Sequence, residues 1–363
     1  MDPRVSDHAD VLVEHCCDVT ADDNVLVRAP PAAEDLVVAL YERLGERGAR
    51  PALHWGSARA GRAYARAMDP EEYRTADHTL AEMKATDIVF MIGGSRNTAE
   101  TSDVAPEMSA ARGRAREPIL KERLDTQWVI TQHPTAGNAQ KAEMSTEGYE
   151  AFVYRAVNKD WDEQREHQAQ LVDLLDPASE VRIVSGDTTD VTMSVDGMDA
   201  INDDGEMNMP GGEVFTAPVP DSVDGEVLFD KPLLRSGREI EDAFLRFEDG
   251  EVVEHSAEQN EELLTAILDT DEGARRLGEL GIGMNRDIDR FTYNMLFDEK
   301  MGDTVHMAVG DAIGECVPED AEKNESAQHV DMIVDMAEDS RIEIDGEVIQ
   351  RNGTFRFEDG FET

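Results

Sequence analysis

The sequence predicts an α/β first half built on a mostly parallel sheet, followed by a strand-rich α+β second half. Three observations carry that expectation. Short apolar runs alternate with helical apolar spacing as far as Thr131. From Val181 the apolar period falls to two, the rhythm of half-buried strands. Asp249-Gly250 and Asp345-Gly346 then punctuate the second half as hairpin turns. The change of rhythm divides the chain into an expected α/β domain, 1–178, and an expected α+β metal-binding catalytic domain, 179–363.

The elements follow in order. Asp10 to Cys17 has helical spacing, and Asn24-Val-Leu-Val-Arg28 is a short buried strand. Ala32 to Arg47 follows as a helix, with Gly48 as its stop. Ala49 to Trp55 is the next strand, and helical stretches continue to Lys84. Asp87-Ile-Val-Phe-Met-Ile92 is a strong strand that ends in Gly93-Gly94. A long helical segment runs to about Leu124, and Gln127 to Thr131 is another strand. Strand alternating with helix is the pattern of a parallel sheet. The Gly93-Gly94-Ser95 turn is neither GxGxxG nor a Walker motif. Glycine at a strand end serves to turn the chain. Residues 139 to 175 are helical and charged and lead into the second half. There, Val181 to Gly197 is a hairpin-like pair of strands, and Glu226–Phe229, Ala243–Phe247, Glu251–Glu254 and Ile342–Gly346 continue in that style. One helical region, Asn260 to Leu280, interrupts them.

The charge balance is extreme. Asp and Glu number 80 against 34 Lys and Arg, a formal net charge of -46 in 363 residues. Hydrophobic residues make up 40% of the chain, enough for real cores, so the composition excludes a disordered acidic chain. The acidic residues are dispersed, which describes an acidic surface over ordinary cores. Such a surface repels itself in dilute salt, and concentrated salt screens it. That is the pattern of a halophile's cytoplasm. It also excludes duplex nucleic acid as a partner, since the phosphate backbone is repelled. Cys16, Cys17 and Cys316 have no zinc-type CxxC spacing, and adjacent cysteines are poor disulfide partners. The opening MDPRVSDHAD has no basic segment leading into an apolar run, so no signal peptide is expected. No apolar run approaches the ~18 residues of a membrane helix.

Four segments of the second half could carry chemistry. In Asn208-Met-Pro-Gly-Gly-Glu213, two glycines place Glu213 on a tight turn leading into a strand; the bland alternative is a loop with a solvated Glu. In Thr270 to Glu279, Thr270 is a plausible helix N-cap and Glu279 lies near the helix end, where the helix dipole disfavours a carboxylate. The alternative there is a surface Glu. His306 lies in the apolar strand Val305 to Val309 and reads as a core histidine or as a ligand. His329 and Asp331, two apart in a strand, share a face. Together these are three carboxylates and two imidazoles, a donor set for one or two zinc, cobalt or manganese ions.

The words NMPGGEVFTAP, TDEGARRLGE, FDEKMGDTVHMAVG and SAQHVDM, in this order, resemble the aminopeptidase T family of thermophilic metalloproteases. Weaker similarity extends over DGEVLFDKPLL, LRFEDGEVV and DGEVIQRNGTF. The resemblance implies a homodimeric aminopeptidase that uses two divalent ions and a metal-activated water to release N-terminal residues from peptides. It implies that Glu213, Glu279, His306, His329 and Asp331 are the metal ligands. In that mechanism Glu279 would bridge the ions or relay the proton. Glu299 is a further candidate, as a ligand or as support for the ligands. Two positions depart from the family pattern. Ile313 stands where a Tyr seven residues after the motif histidine is usual, and Val330 stands in place of a Trp. Ile313 therefore leaves a rival reading, a hydrolase of another amide, and a third reading is a non-catalytic metal or peptide binder that keeps the scaffold. The charge pattern predicts that the thermal unfolding midpoint rises by several degrees from roughly 0.1 M to 1 M KCl, as screening lengths shrink. Calorimetry at the two salt concentrations checks this, and a midpoint indifferent to salt contradicts it.

Overall fold

A computed structural model describes residues 2–235 and 237–362. The expected α/β and α+β fold class is borne out. The chain forms two compact units, Met1–Lys159 with Gly205–Gly211, and Asp160–Asp204 with Gly212–Thr363.

The first unit is built on a parallel sheet of five strands in the order Arg50–Trp55, Asn24–Ala29, Ile88–Gly93, Gln127–Gln132 and Asn208–Met209. Its central strands read as continuous apolar runs because both faces are covered. Val25, Leu26, Val27, Val89, Phe90 and Val129 are all buried. Helix Glu34–Arg47 ends at Gly48, as its sequence predicts. The first helix starts earlier than the apolar spacing suggests, at Pro3, because the Asp2 side chain accepts from the Arg4 amide and caps it. Among the described residues no helix is long and apolar enough to cross a membrane.

The second unit holds an eight-stranded sheet and a five-stranded sheet. The Asp249-Gly250 and Asp345-Gly346 turns close hairpins of the larger sheet, pairing Glu248 with Glu251 and Ile344 with Glu347. The smaller sheet runs His329–Asp335, Thr304–Gly310, Leu277–Gly283, Glu213–Thr216 and Ile201–Asp203, every neighbour antiparallel. One apolar core takes residues from both sheets, including Ile183, Val227, Leu280, Ile282, Val305, Met307 and Val334.

The helix expected over Asn260 to Leu280 is corrected. Helix Glu261–Leu268 is only its first part, and Leu277–Gly283 is a strand. Thr270 is not a helix N-cap: Asp271 accepts from the Ala274 amide at 2.9 Å and closes a short 3-10 turn, Gly273–Arg275. Glu279 accordingly has nothing to do with a helix end. Every residue of the strand Leu277–Gly283 is buried. A strand covered on both faces shows no alternation, and such a run reads equally as buried helix.

The second unit is fastened at its ends by Glu358. Its carboxylate accepts from Arg286 Nη2 at 2.7 Å and from the Phe355 amide at 2.8 Å, and lies 3.3 Å from His167 Nε2 on helix Trp161–Leu175. Burial would raise its pKa, but the His167 bond, the Phe355 amide and Arg286 outweigh burial and hold it down at about 2. A carboxylate depressed on folding stabilises the fold above its unfolded pKa, and that contribution is lost as pH falls through the folded value. The stability lost in E358Q is therefore full above pH ~4.5 and shrinks toward zero near pH ~2. Denaturant unfolding of both proteins across this window checks it; a difference that grows on acidification contradicts it.

Candidate metal centre

Strand alternation builds the site. In the small sheet Val214, Leu280, Ile282, Val305, Met307, Val309, Val330, Met332 and Val334 belong to the core. Glu213, Glu279, His306, His329 and Asp331 fall on the alternate positions and so on the opposite face. A register shift between Leu277 and Glu279 sets this phase for Glu279, because it lets Leu277 and Leu280 both reach the core. Gly212, at φ +117, turns the chain into the Glu213 strand, and a Cβ there would lie 2.4 Å from Asn285 Cβ. The buried Gln168 amide donates to the Glu213 carbonyl at 2.8 Å and to the Asp203 carbonyl at 3.0 Å, which pins this turn.

All five side chains named as ligands come together. Glu279 is at their centre. Its Oε1 lies 3.3 Å from His306 Nε2, and its Oε2 lies 3.1 Å from His329 Nε2. His329 Nε2 is also 3.2 Å from Asp331 Oδ1, and His306 Nε2 is 3.7 Å from Glu213 Oε2. One ligand atom each from Glu279, His306 and Asp331 lies within 4.8 Å of the others. Glu299 is close by: its carbonyl faces His306 Nδ1 at 3.1 Å, and its carboxylate pairs with Lys300.

The donor chemistry fits a divalent cation. A carbonyl oxygen only accepts, so His306 Nδ1 donates to the Glu299 carbonyl and His329 Nδ1, at 2.8 Å, to that of Asp311. Each ring then turns Nε2 toward carboxylate oxygens, the arrangement that backbone-anchored histidine ligands adopt. Glu213 Oε2 is buried without a hydrogen-bond partner. Donors on one tetrahedral zinc stand roughly 3.3 Å apart, from bonds of about 2.0–2.2 Å. The separations around Glu279 are of that order.

Ion pairing and burial compete across the centre. Burial lowers the pKa of His306, but Glu213 and Glu279 outweigh it and push it up to about 10. Burial likewise lowers the pKa of His329, but Asp331 and Glu279 outweigh it and push it up to about 11. Burial raises Glu279 and Asp331, yet the facing imidazoles hold both below the usual carboxylate range. At Glu213 and Glu299 burial wins over Lys300 and the pKa rises.

The sequence reading missed two residues. Lys300 is completely buried among the carboxylates, and only its place beside Glu299 in a lysine-poor chain signals it. Gly281 pairs with His306 across the strands, and a Cβ there would sit 1.9 Å from the His306 ring. Ile313 packs against a small apolar cluster that includes Phe215, Ala217, Ala312 and Cys316.

These features define a two-unit α/β and α+β protein with a candidate divalent-cation centre. The chain belongs to the thermophilic metalloprotease (M29) family, which it matches over residues 1–360. Membership implies a divalent metal. The chain is 38% identical to aminopeptidase 2 of Geobacillus stearothermophilus over 172 residues, 42% of this chain and 40% of that protein. It is 40% identical to aminopeptidase T of Thermus aquaticus over 151 residues, 38% of this chain and 36% of that one. The matched segment thus spans about two fifths of these relatives' length. Wild-type AmpT from Thermus thermophilus superposes with a TM-score of 0.87 at 25% identity, covering 98% of this chain and 99% of that one. A 2,5-dihydroxypyridine dioxygenase from Pseudomonas putida, 14% identical with a TM-score of 0.62 over 99% of each chain, shares the fold alone.

The close approach at Gly281 allows the site to be disturbed without replacing a ligand. G281A displaces the His306 ring and lowers divalent-cation affinity by about tenfold to a hundredfold, the range for residues that orient ligands. Metal content after dialysis, with circular dichroism to confirm folding, measures this. Wild-type retention in a folded variant contradicts it.

Proposed function

We propose that this chain is a metal-dependent aminopeptidase whose α+β domain, expected from residue 179 onward, carries catalysis. One observation carries the reading: the two oxygens of Glu279 face two different imidazoles, at 3.3 Å and 3.1 Å. A carboxylate so placed suits a bridge between two divalent cations. Glu213, Glu279 and His306 would hold one, and Glu279, His329 and Asp331 the other. The mixed nitrogen and oxygen donors suit zinc, cobalt or manganese.

When bound, such cations act as Lewis acids that polarise a peptide carbonyl and acidify water. The chain's own residues do the rest. Glu279 is committed through both oxygens, so proton transfer falls to Glu299, a buried carboxylate beside His306 whose pKa is raised by burial. A substrate's free α-amino group would be held by an acidic side chain of the centre, which confines cleavage to N-terminal residues. Short peptides are the proposed substrates. The homodimer expected from the family resemblance, and a salt-rich cytoplasm expected from the acidic composition, complete the proposal.

A specific observation favours a second reading. Ile313 supplies no hydroxyl where the family pattern has Tyr, and it packs in an apolar cluster. A hydrolase of another amide is the alternative, since a shared fold leaves chemistry open. Peptides with free and acetylated N-termini separate the two. The aminopeptidase reading predicts that only the free peptides are cut, that chelation abolishes turnover and that divalent metal restores it. E213Q and H306A should each lower kcat/KM by at least about a hundredfold. Equal cleavage of the acetylated peptides supports the alternative, and unchanged turnover by both variants in chelated buffer removes the metal mechanism.

A further inference from the structure

Lys300 is a cation inside a centre that is built to receive cations. Its side chain is 0% exposed. Its Nζ donates to Glu213 Oε1 at 2.9 Å, pairs with Glu299 Oε1, and lies 3.4 Å from Asp203 Oδ2. Glu213 is thereby divided. One oxygen is held by an ammonium, while the other, Oε2, is buried without a hydrogen-bond partner and faces His306 Nε2 at 3.7 Å. The two sides of Glu279 are therefore unequal. On the Glu213–His306 side, a fixed positive charge shares a ligand with any cation that binds. On the other side, His329 and Asp331 flank Glu279, and Lys300 forms its ion pairs with Asp203, Glu213 and Glu299 instead.

Two like charges on the two oxygens of one buried carboxylate repel at short range, where little water screens them. The same lysine relieves the protein when no cation is present, because an unpaired buried carboxylate is costly. Formal charge agrees with this division. Lys300 offsets one of the five negative charges of Asp203, Glu213, Glu279, Glu299 and Asp331, leaving the charge that two divalent cations neutralise.

We propose that Lys300 is a built-in counter-cation that weakens binding on the Glu213–His306 side, so that the centre holds one tight and one exchangeable divalent ion. The inference rests on the two-cation reading given above. It makes Lys300 a positioning residue that acts through Glu213, and it makes turnover follow the free divalent-cation concentration.

Zinc-loaded wild type, K300M and K300Q, each as the full chain, are titrated with a graded series of chelators, and bound zinc is measured by elemental analysis. The wild type should release its two ions in separate steps, with affinities at least about tenfold apart. Both variants should tighten the weaker step by about tenfold or more and leave the tighter step nearly unchanged. K300Q keeps hydrogen-bond donors without the charge. If Lys300 only braces Glu213, K300Q matches wild type and K300M binds more weakly, which overturns the inference. Release of both wild-type ions in a single step also overturns it, and needs no variant to fold. Fewer than two ions bound by wild type overturns the two-cation reading together with the inference.

Discussion

Carboxylates gathered on the buried face of a small sheet need positive charge close by, and much of the second unit is arranged around that need. Glu213 and Glu279 are almost fully buried, with Glu299 and Asp331 beside them. Transferring such groups from water is costly unless they are paired. Two imidazoles and one ammonium supply part of the pairing. The facing carboxylates push the pKa of His306 and His329 upward against burial. A divalent cation answers the same demand and leaves the imidazoles neutral.

The sheet meets this demand with few devices. Alternation sends apolar residues to the core and ligand candidates to the other face. Small residues make room between the strands: Gly281 beneath the His306 ring, and Ala308 paired with both Glu279 and Asp331. The register shift after Leu277 is what brings Glu279 into phase with its neighbours. Architecture alone leaves chemistry open, so the identity of these side chains carries it.

How much of this was legible in the sequence depended on local pattern. Period two placed His329 beside Asp331, and the GGE turn placed Glu213 at a strand start, as found. The parallel sheet of the first unit was readable because its strands are short apolar runs between helices. Glu279 was misplaced onto a helix end, because its strand is buried on both faces and shows no alternation. Lys300 and Gly281 were missed for a different reason. Their roles rest on contacts across strands and loops, Lys300 with Glu213 and Gly281 with His306, and neither leaves a spacing in the sequence.

The most direct measurement is anomalous diffraction at the zinc absorption edge from crystals of the zinc-loaded protein. The account predicts two peaks flanking the Glu279 carboxylate, one beside Glu213 and His306 and one beside His329 and Asp331. Zinc bound away from Glu279, or no ordered zinc within reach of its carboxylate, would contradict it.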